Sequence, residues 1–272
     1  MTTILSIAAA PLLSSHRIDA CAAKEAGLEG ERFDSQSALV SETPRRTANI
    51  DPGPWARATG TDAMSIRSYL ERMPFIAILR GVKPDEAAPI GIALANEGFG
   101  IIEVPMNSPN PVESIRRLRD ALGDACLLGA GTETTAKQVA DVAAAGGRLI
   151  VMPHSDPAVI IAAKAAGLVC VPGVATPTEG FAALANGADG LKLFPAEMLG
   201  PAVLKAWRAV FPAGTMFIPV GGITPLNFGE YVKVGAAGFG LGGALYSPGL
   251  GAAEVAHRAR AFVAAWRKLK QS

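Results

Sequence analysis

The chain has 272 residues, with Lys+Arg 25 against Asp+Glu 24, a formal net charge of +1, and half of it is hydrophobic. That balance is too apolar for a disordered chain, and it lacks the basic stripe that nucleic-acid binding requires. No apolar run approaches the roughly 18 residues of a membrane-spanning helix, and three cysteines (Cys21, Cys126, Cys170) and three histidines (His16, His154, His257) are too scattered for a disulfide scaffold or a zinc site.

Residues 1–63 mix Ser, Thr, Asp, Arg and Pro without periodicity, including Pro44-Arg45-Arg46 and Asp51-Pro52-Gly53-Pro54, and read as a largely disordered extension. Ile4 to Leu13 have the apolarity of a signal-peptide core but not the basic residues that precede one. The expectation is therefore a cytoplasmic protein with one folded domain, residues 64–272, for which Met64 is a natural beginning.

From Phe75 onward eight short β-rich apolar runs alternate with helix-like segments. The runs are Phe75–Leu79, Ile101–Met106, Leu127–Ala130, Leu149–Met152, Val169–Pro172, Gly190–Phe194, Met216–Val220 and Gly238–Leu241. The helices expected between and after them are Pro84–Glu97, Pro111–Leu122, Ala136–Ala145, Pro157–Ala166, Pro177–Asn186, Pro201–Phe211, Pro225–Val234 and Ala252–Lys270. Proline near the first turn and glycine just past the end (Gly98, Gly123, Gly146, Gly167, Gly187, Gly235) match the preferences of helix termini. Continuous rather than alternating apolar runs imply strands covered on both faces, as in a parallel sheet. Eight βα units predict a (β/α)8 TIM barrel, with an open doubly wound sheet as the alternative.

In such a barrel the chemistry sits where strands end. Lys192, between Leu191 and Leu193, would be an ammonium in apolar surroundings. Desolvation favours its neutral amine, which can form a Schiff base with a ketone; a rim ion pair or a snorkelling side chain is the structural alternative. Glu103, between Ile102 and Val104, reads either as a general acid/base or as a buried partner for Arg80 or Lys192. Gly221-Gly222 and Gly242-Gly243 end the last two strands, where backbone N–H groups commonly receive phosphate, although tight turning also calls for glycine. Gly238, Gly240 and Gly243 match a dinucleotide fingerprint, but the acidic residue expected about 20 positions later is missing. Arg80 is a candidate for binding an anion, Thr132 could hold a carboxylate, and His154 reads as a polar residue at the barrel mouth, with an aid to proton transfer as the alternative. Cys126 and Cys170 read as small core residues, and Trp207 and Trp266 as packing on the barrel exterior.

Ala77-Ile78-Leu79-Arg80-Gly81, Glu103-Val104-Pro105-Met106-Asn107-Ser108-Pro109, Gly129-Ala130-Gly131-Thr132, Leu191-Lys192-Leu193-Phe194-Pro195-Ala196 and Val220-Gly221-Gly222-Ile223-Thr224-Pro225 together resemble the class I 2-keto-3-deoxy-6-phospho-sugar-acid aldolases. The resemblance runs from about Ile66 to the C-terminus. It implies a metal-free, cofactor-free TIM-barrel lyase, usually a homotrimer, with Lys192 as the Schiff-base lysine and Glu103 as the acid/base. Arg80, Thr132 and Phe194 would line the substrate site, and Gly221, Gly222, Gly242 and Gly243 would receive the phosphate. Asn107 and Val220 match the galactonate-type members, whereas Pro219 and Ala196-Glu197 look more like the gluconate type. Gly243 stands where a hydroxyl residue is common. The implied reaction takes a phosphorylated keto acid to pyruvate and D-glyceraldehyde 3-phosphate in galactonate catabolism. The alternatives are the gluconate epimer, both epimers, a phosphosugar isomerase, or a phosphate-ligand-binding barrel.

Overall fold

The apolar runs pair in parallel and the segments between them coil into helices. A computed structural model describes residues 65–133 and 135–271 of the chain; the expected extension, with His16 and Cys21, lies outside the described residues. The strands are β1 Phe75–Ile78, β2 Ile101–Pro105, β3 Leu127–Gly131, β4 Leu149–Val151, β5 Val169–Val171, β6 Gly173–Val174, β7 Leu191–Leu193, β8 Phe217–Pro219 and β9 Phe239–Leu241. The helices are α1 Ile66–Arg72, α2 Pro84–Asn96, α3 Pro111–Leu122, α4 Ala136–Ala144, α5 Pro157–Ala165, α6 Pro177–Ala185, α7 Pro201–Arg208, α8 Phe228–Lys233 and α9 Ala252–Gln271.

Strands β5-β4-β3-β2-β1-β9 form one parallel sheet and β6-β7-β8 another. A parallel bridge from Val220 to Gly240 ties the end of β8 to β9. The expected fifth strand is split, because Pro172 between β5 and β6 has no N–H to offer a ladder. The architecture is a curled, all-parallel α/β sheet alternating with helices.

Alternation along the strands separates two cores. Phe75 and Ala77 of β1, Ile102 and Val104 of β2, and Leu191 and Leu193 of β7 face the helices. Ile76 and Ile78 of β1, Ile101 of β2, Leu127 of β3, Leu149 of β4 and Ile218 of β8 form the second cluster, on the opposite face of the sheet. Helix α1, which the sequence reading did not assign, places Ile66, Tyr69 and Leu70 in this second cluster. Its seven residues are too few for periodicity to reveal, and tertiary packing holds it. The helix-side core is aromatic around Phe75, whose ring lies 5.4 to 6.5 Å from those of Phe99, Phe228, Phe239, Phe262 and Trp266. Trp207 packs on Phe211 and Phe217, so Trp207 and Trp266 each sit on the outer side of the strands.

Helix termini follow local chemistry. Proline occupies the first turn of α2, α3, α5, α6 and α7, where its missing N–H has no partner to lose. Thr176 caps α6 in a reciprocal box with Glu179, and Gly187 follows at φ 96, a conformation costly for a side chain bearing Cβ. Helix α8 starts at Phe228 rather than at Pro225, because Asn227 Oδ1 accepts the Thr224 N–H (2.8 Å) and holds a turn there.

Candidate active site

The same alternation positions the two residues singled out for chemistry. Leu191 and Leu193 face the helices, so Lys192 projects from the opposite face, level with Ile218 of β8. Ile102 and Val104 likewise leave Glu103 on that face, level with Ile78 of β1 and Gly129 of β3. Glu103 is 1% exposed and Lys192 5%. Burial raises the Glu103 carboxyl from an ordinary 4.5 to about 7, against the opposing pull of Lys192 and Arg80. Burial lowers the Lys192 amine; Glu103 opposes that shift and the Arg80 charge adds to it. Each group is thus biased toward its neutral form and coupled to the other. Lys192 Nζ also lies 4.5 Å from the centroid of the Phe194 ring.

Gly131 makes room for this arrangement. A methyl group at its Cα would overlap the Glu103 carboxylate, whose Oε2 is buried without a hydrogen-bond partner. Arg80, at the end of β1, donates to Asn107 Oδ1 (2.7 Å) and to Thr132 Oγ1 (3.2 Å), drawing together the ends of β1, β2 and β3. Thr132 adopts φ 63, a left-handed conformation disfavoured for a β-branched residue, and its N–H is held by Val151 O at 2.8 Å. A cationic fork with one hydroxyl beside it, next to a buried amine and carboxyl, can bind an anionic carbonyl compound and form and hydrolyse an imine.

Val220 is buried on the Lys192 side of the sheet and packs against Gly240. Gly221 and Gly222 follow at φ 110 and 62, with the Glu197 carboxylate lying over both Cα atoms. Asn227 Nδ2 holds this loop through Gly222 O at 2.8 Å. A Cβ at Gly242 or Gly243 would meet open space and neither has a positive φ, so tight turning does not explain these two glycines. Arg80, Glu103, Thr132, Phe194 and Lys192 are linked by contact or charge, and the glycine loops adjoin them through the strand ends that the Val220–Gly240 bridge ties together.

His154 is exposed beyond β4. Cys126 and Cys170 are buried, and burial pushes both thiols up to about 12, leaving them inert. Among the described residues, no group of three or more His, Cys, Asp or Glu could hold a metal, and no helix is long and apolar enough to cross a membrane. Sequence reasoning missed Glu133, which is fully buried and electrostatically coupled to both Glu103 and Lys192. A carboxylate directly after the Gly129–Thr132 strand end was the available signal.

Comparison with known proteins agrees with this geometry. Residues 66–257 match the family described as KDPG and KHG aldolase. The chain is 49% identical over 193 residues to the probable 2-dehydro-3-deoxy-6-phosphogalactonate aldolase of Rhizobium meliloti (strain 1021), covering 71% of this chain and 91% of that protein. It is 44% identical over 200 residues to the 2-dehydro-3-deoxy-6-phosphogalactonate aldolase of Escherichia coli (strain K12), covering 74% and 98%. A solved structure described as native KDPGal is 43% identical, with a TM-score of 0.72 over 74% of this chain and 98% of that one. With its apolar-lined lysine, raised carboxyl and arginine fork on parallel strands, the chain belongs to the KDPG and KHG aldolase family and is a class I aldolase, a carbon–carbon lyase.

Proposed function

We propose that this aldolase cleaves 2-dehydro-3-deoxy-6-phospho-D-galactonate to pyruvate and D-glyceraldehyde 3-phosphate, in galactonate catabolism. The observation that carries the reading is a buried amine and a buried carboxyl, both on the strand face turned away from the helices and each shifted toward neutrality. Lys192 attacks the C2 ketone as a free amine. Glu103 relays protons while the carbinolamine loses water to the iminium. Glu103, directly or through a water, then takes the C4 hydroxyl proton as the C3–C4 bond breaks, and the electron pair flows to the iminium nitrogen, giving an enamine. Protonation at C3 and hydrolysis release pyruvate and restore the amine. The protonated imine does the polarising, so the sequence of steps uses no metal or cofactor.

Arg80 and Thr132 hold the substrate's carboxylate, and Phe194 borders the imine. Gly221, Gly222, Gly242 and Gly243 receive the phosphate on backbone N–H groups, a role that the open space at the last two supports. Binding there requires the Glu197 carboxylate to swing away, because two anions repel at that distance. Val220 places a methyl group, not a hydroxyl, beside the substrate's C4 region, which biases the choice of epimer. The galactonate reading is further supported by relatives of that name at 44 and 49% identity.

The eight-stranded closure of the barrel is part of this reading, with β5 and β6 counted as one strand and the Val220–Gly240 bridge as the seam. So are a cytoplasmic location and a homotrimer. Exposed Phe181, stacked on Phe211 at 4.4 Å beside exposed Val210, supports an interface; light scattering after size exclusion distinguishes trimer from monomer. The substrate assignment is tested by kcat/KM for the two C4 epimers. We expect at least about a tenfold preference for the galactonate epimer, about 1.4 kcal/mol, and a preference for the gluconate epimer overturns it.

A further inference from the structure

Glu133 has no task in the reaction above, yet its side chain is 0% exposed and neither carboxyl oxygen finds a hydrogen-bond partner beyond its own residue. It lies two residues after Gly131, the glycine over which the Glu103 carboxylate sits, and directly after the left-handed turn at Thr132. The titratable groups around its carboxyl are Glu103 of β2, Lys192 of β7 and Cys170 of β5, while Arg80 acts on Glu103 and Lys192. Burial, and then the Glu103 charge, hold Glu133 well above the ordinary carboxylate range, against the opposing pull of its own backbone N–H and of Lys192. Glu133 is therefore biased toward its neutral, proton-bearing form and is electrostatically coupled to Glu103. A buried, unpartnered carboxyl costs stability, and such groups concentrate where protons are transferred. Two carboxyls whose surroundings push their titrations apart can serve as base and acid at the same moment.

Resting on the Schiff-base reading, we propose that Glu133 is a second proton-transfer group of this active site, protonating the enamine carbon while Glu103 serves as the base. The steps balance. The C4 hydroxyl proton passes to the Glu103 carboxylate as the C3–C4 electron pair moves to the iminium nitrogen. Glu133 then gives its proton to C3; the enamine π pair forms the C3–H bond and the nitrogen lone pair restores the iminium. The Glu133 carboxylate so formed takes up the proton held by Glu103, and both groups return to their starting states.

The test compares E133Q, a neutral isostere that keeps hydrogen bonding, with E133L, which fills the space with apolar atoms. Both retain borohydride trapping of pyruvate on Lys192. In both, kcat for cleavage falls at least about tenfold, the lower part of what a positioned proton donor contributes, while KM changes by less than about threefold. The wild-type kcat–pH profile declines on the alkaline side as Glu133 loses its proton, and this limb is absent from both variants; a merely structural role would leave it in place. E133L, which leaves no buried side-chain polar atom without a partner, carries the test if E133Q fails to fold. Trapping in all three proteins with wild-type kcat and an unchanged alkaline limb in the variants overturns this proposal alone. Absence of trapping in the wild type overturns the Schiff-base reading and this proposal with it.

Discussion

Replacing Glu103 by glutamine exposes the cost of keeping a carboxyl in the core. The carboxyl titrates at about 7 in the fold instead of 4.5, a difference of about 2.5 units, or about 3 kcal/mol at about 1.36 kcal/mol per unit. Because the folded value is the raised one, the carboxyl's contribution to stability is intact below pH 4.5 and is lost as pH climbs through about 7. Glutamine has the same shape and stays neutral throughout. Glu103→Gln should therefore match the wild type near pH 4.5 and exceed it by about 3 kcal/mol near pH 8, while kcat falls about 10²- to 10⁴-fold. Urea unfolding at pH 4.5, 6 and 8, at one fixed protein concentration because association adds its own stability, reads this difference directly. A stability difference that is the same at all three values would refute the reasoning, because it would mean that the gain comes from packing rather than from an avoided buried charge.

Gly131→Ala drives a methyl group into the Glu103 carboxylate; kcat should fall at least about tenfold, with roughly 1–3 kcal/mol lost from overpacking, and an unchanged kcat would show that the carboxylate can move aside freely. Phe75→Ala empties the centre of five ring contacts and should cost about 3–5 kcal/mol in urea unfolding. Arg80→Lys keeps the charge but loses the fork onto Asn107 and Thr132; KM for the keto acid should rise roughly tenfold with kcat within a few-fold, as expected for the loss of a charged hydrogen bond of about 1.5 kcal/mol or more.

The strands and the two central residues were legible because burial on both faces leaves continuous apolar runs, and a lysine or glutamate inside such a run stands out. The alternation that sends Leu191 and Leu193 to the helices also determines where Lys192 projects, so one assignment carried the other. Helix α1 was not legible: seven residues give too few turns for periodicity, and its place depends on the second core of the sheet. Glu133 escaped for a different reason. It lies between Thr132 and the N-cap Thr135, where a glutamate ordinarily reads as a solvated loop residue, and only the left-handed turn at Thr132 and the packing around it bury the side chain. The Glu197 carboxylate over Gly221 and Gly222 is likewise a long-range contact with no local signature. The split of the fifth strand was readable in principle, since Pro172 cannot donate to a ladder.

The central claim is that the amine of Lys192 captures the keto acid covalently. Incubation with pyruvate and borohydride, followed by peptide mass spectrometry, should find one reduced pyruvyl adduct, on the peptide carrying Lys192, and none in Lys192→Ala. An adduct on a different lysine, or no adduct under conditions that sustain turnover, would contradict the account.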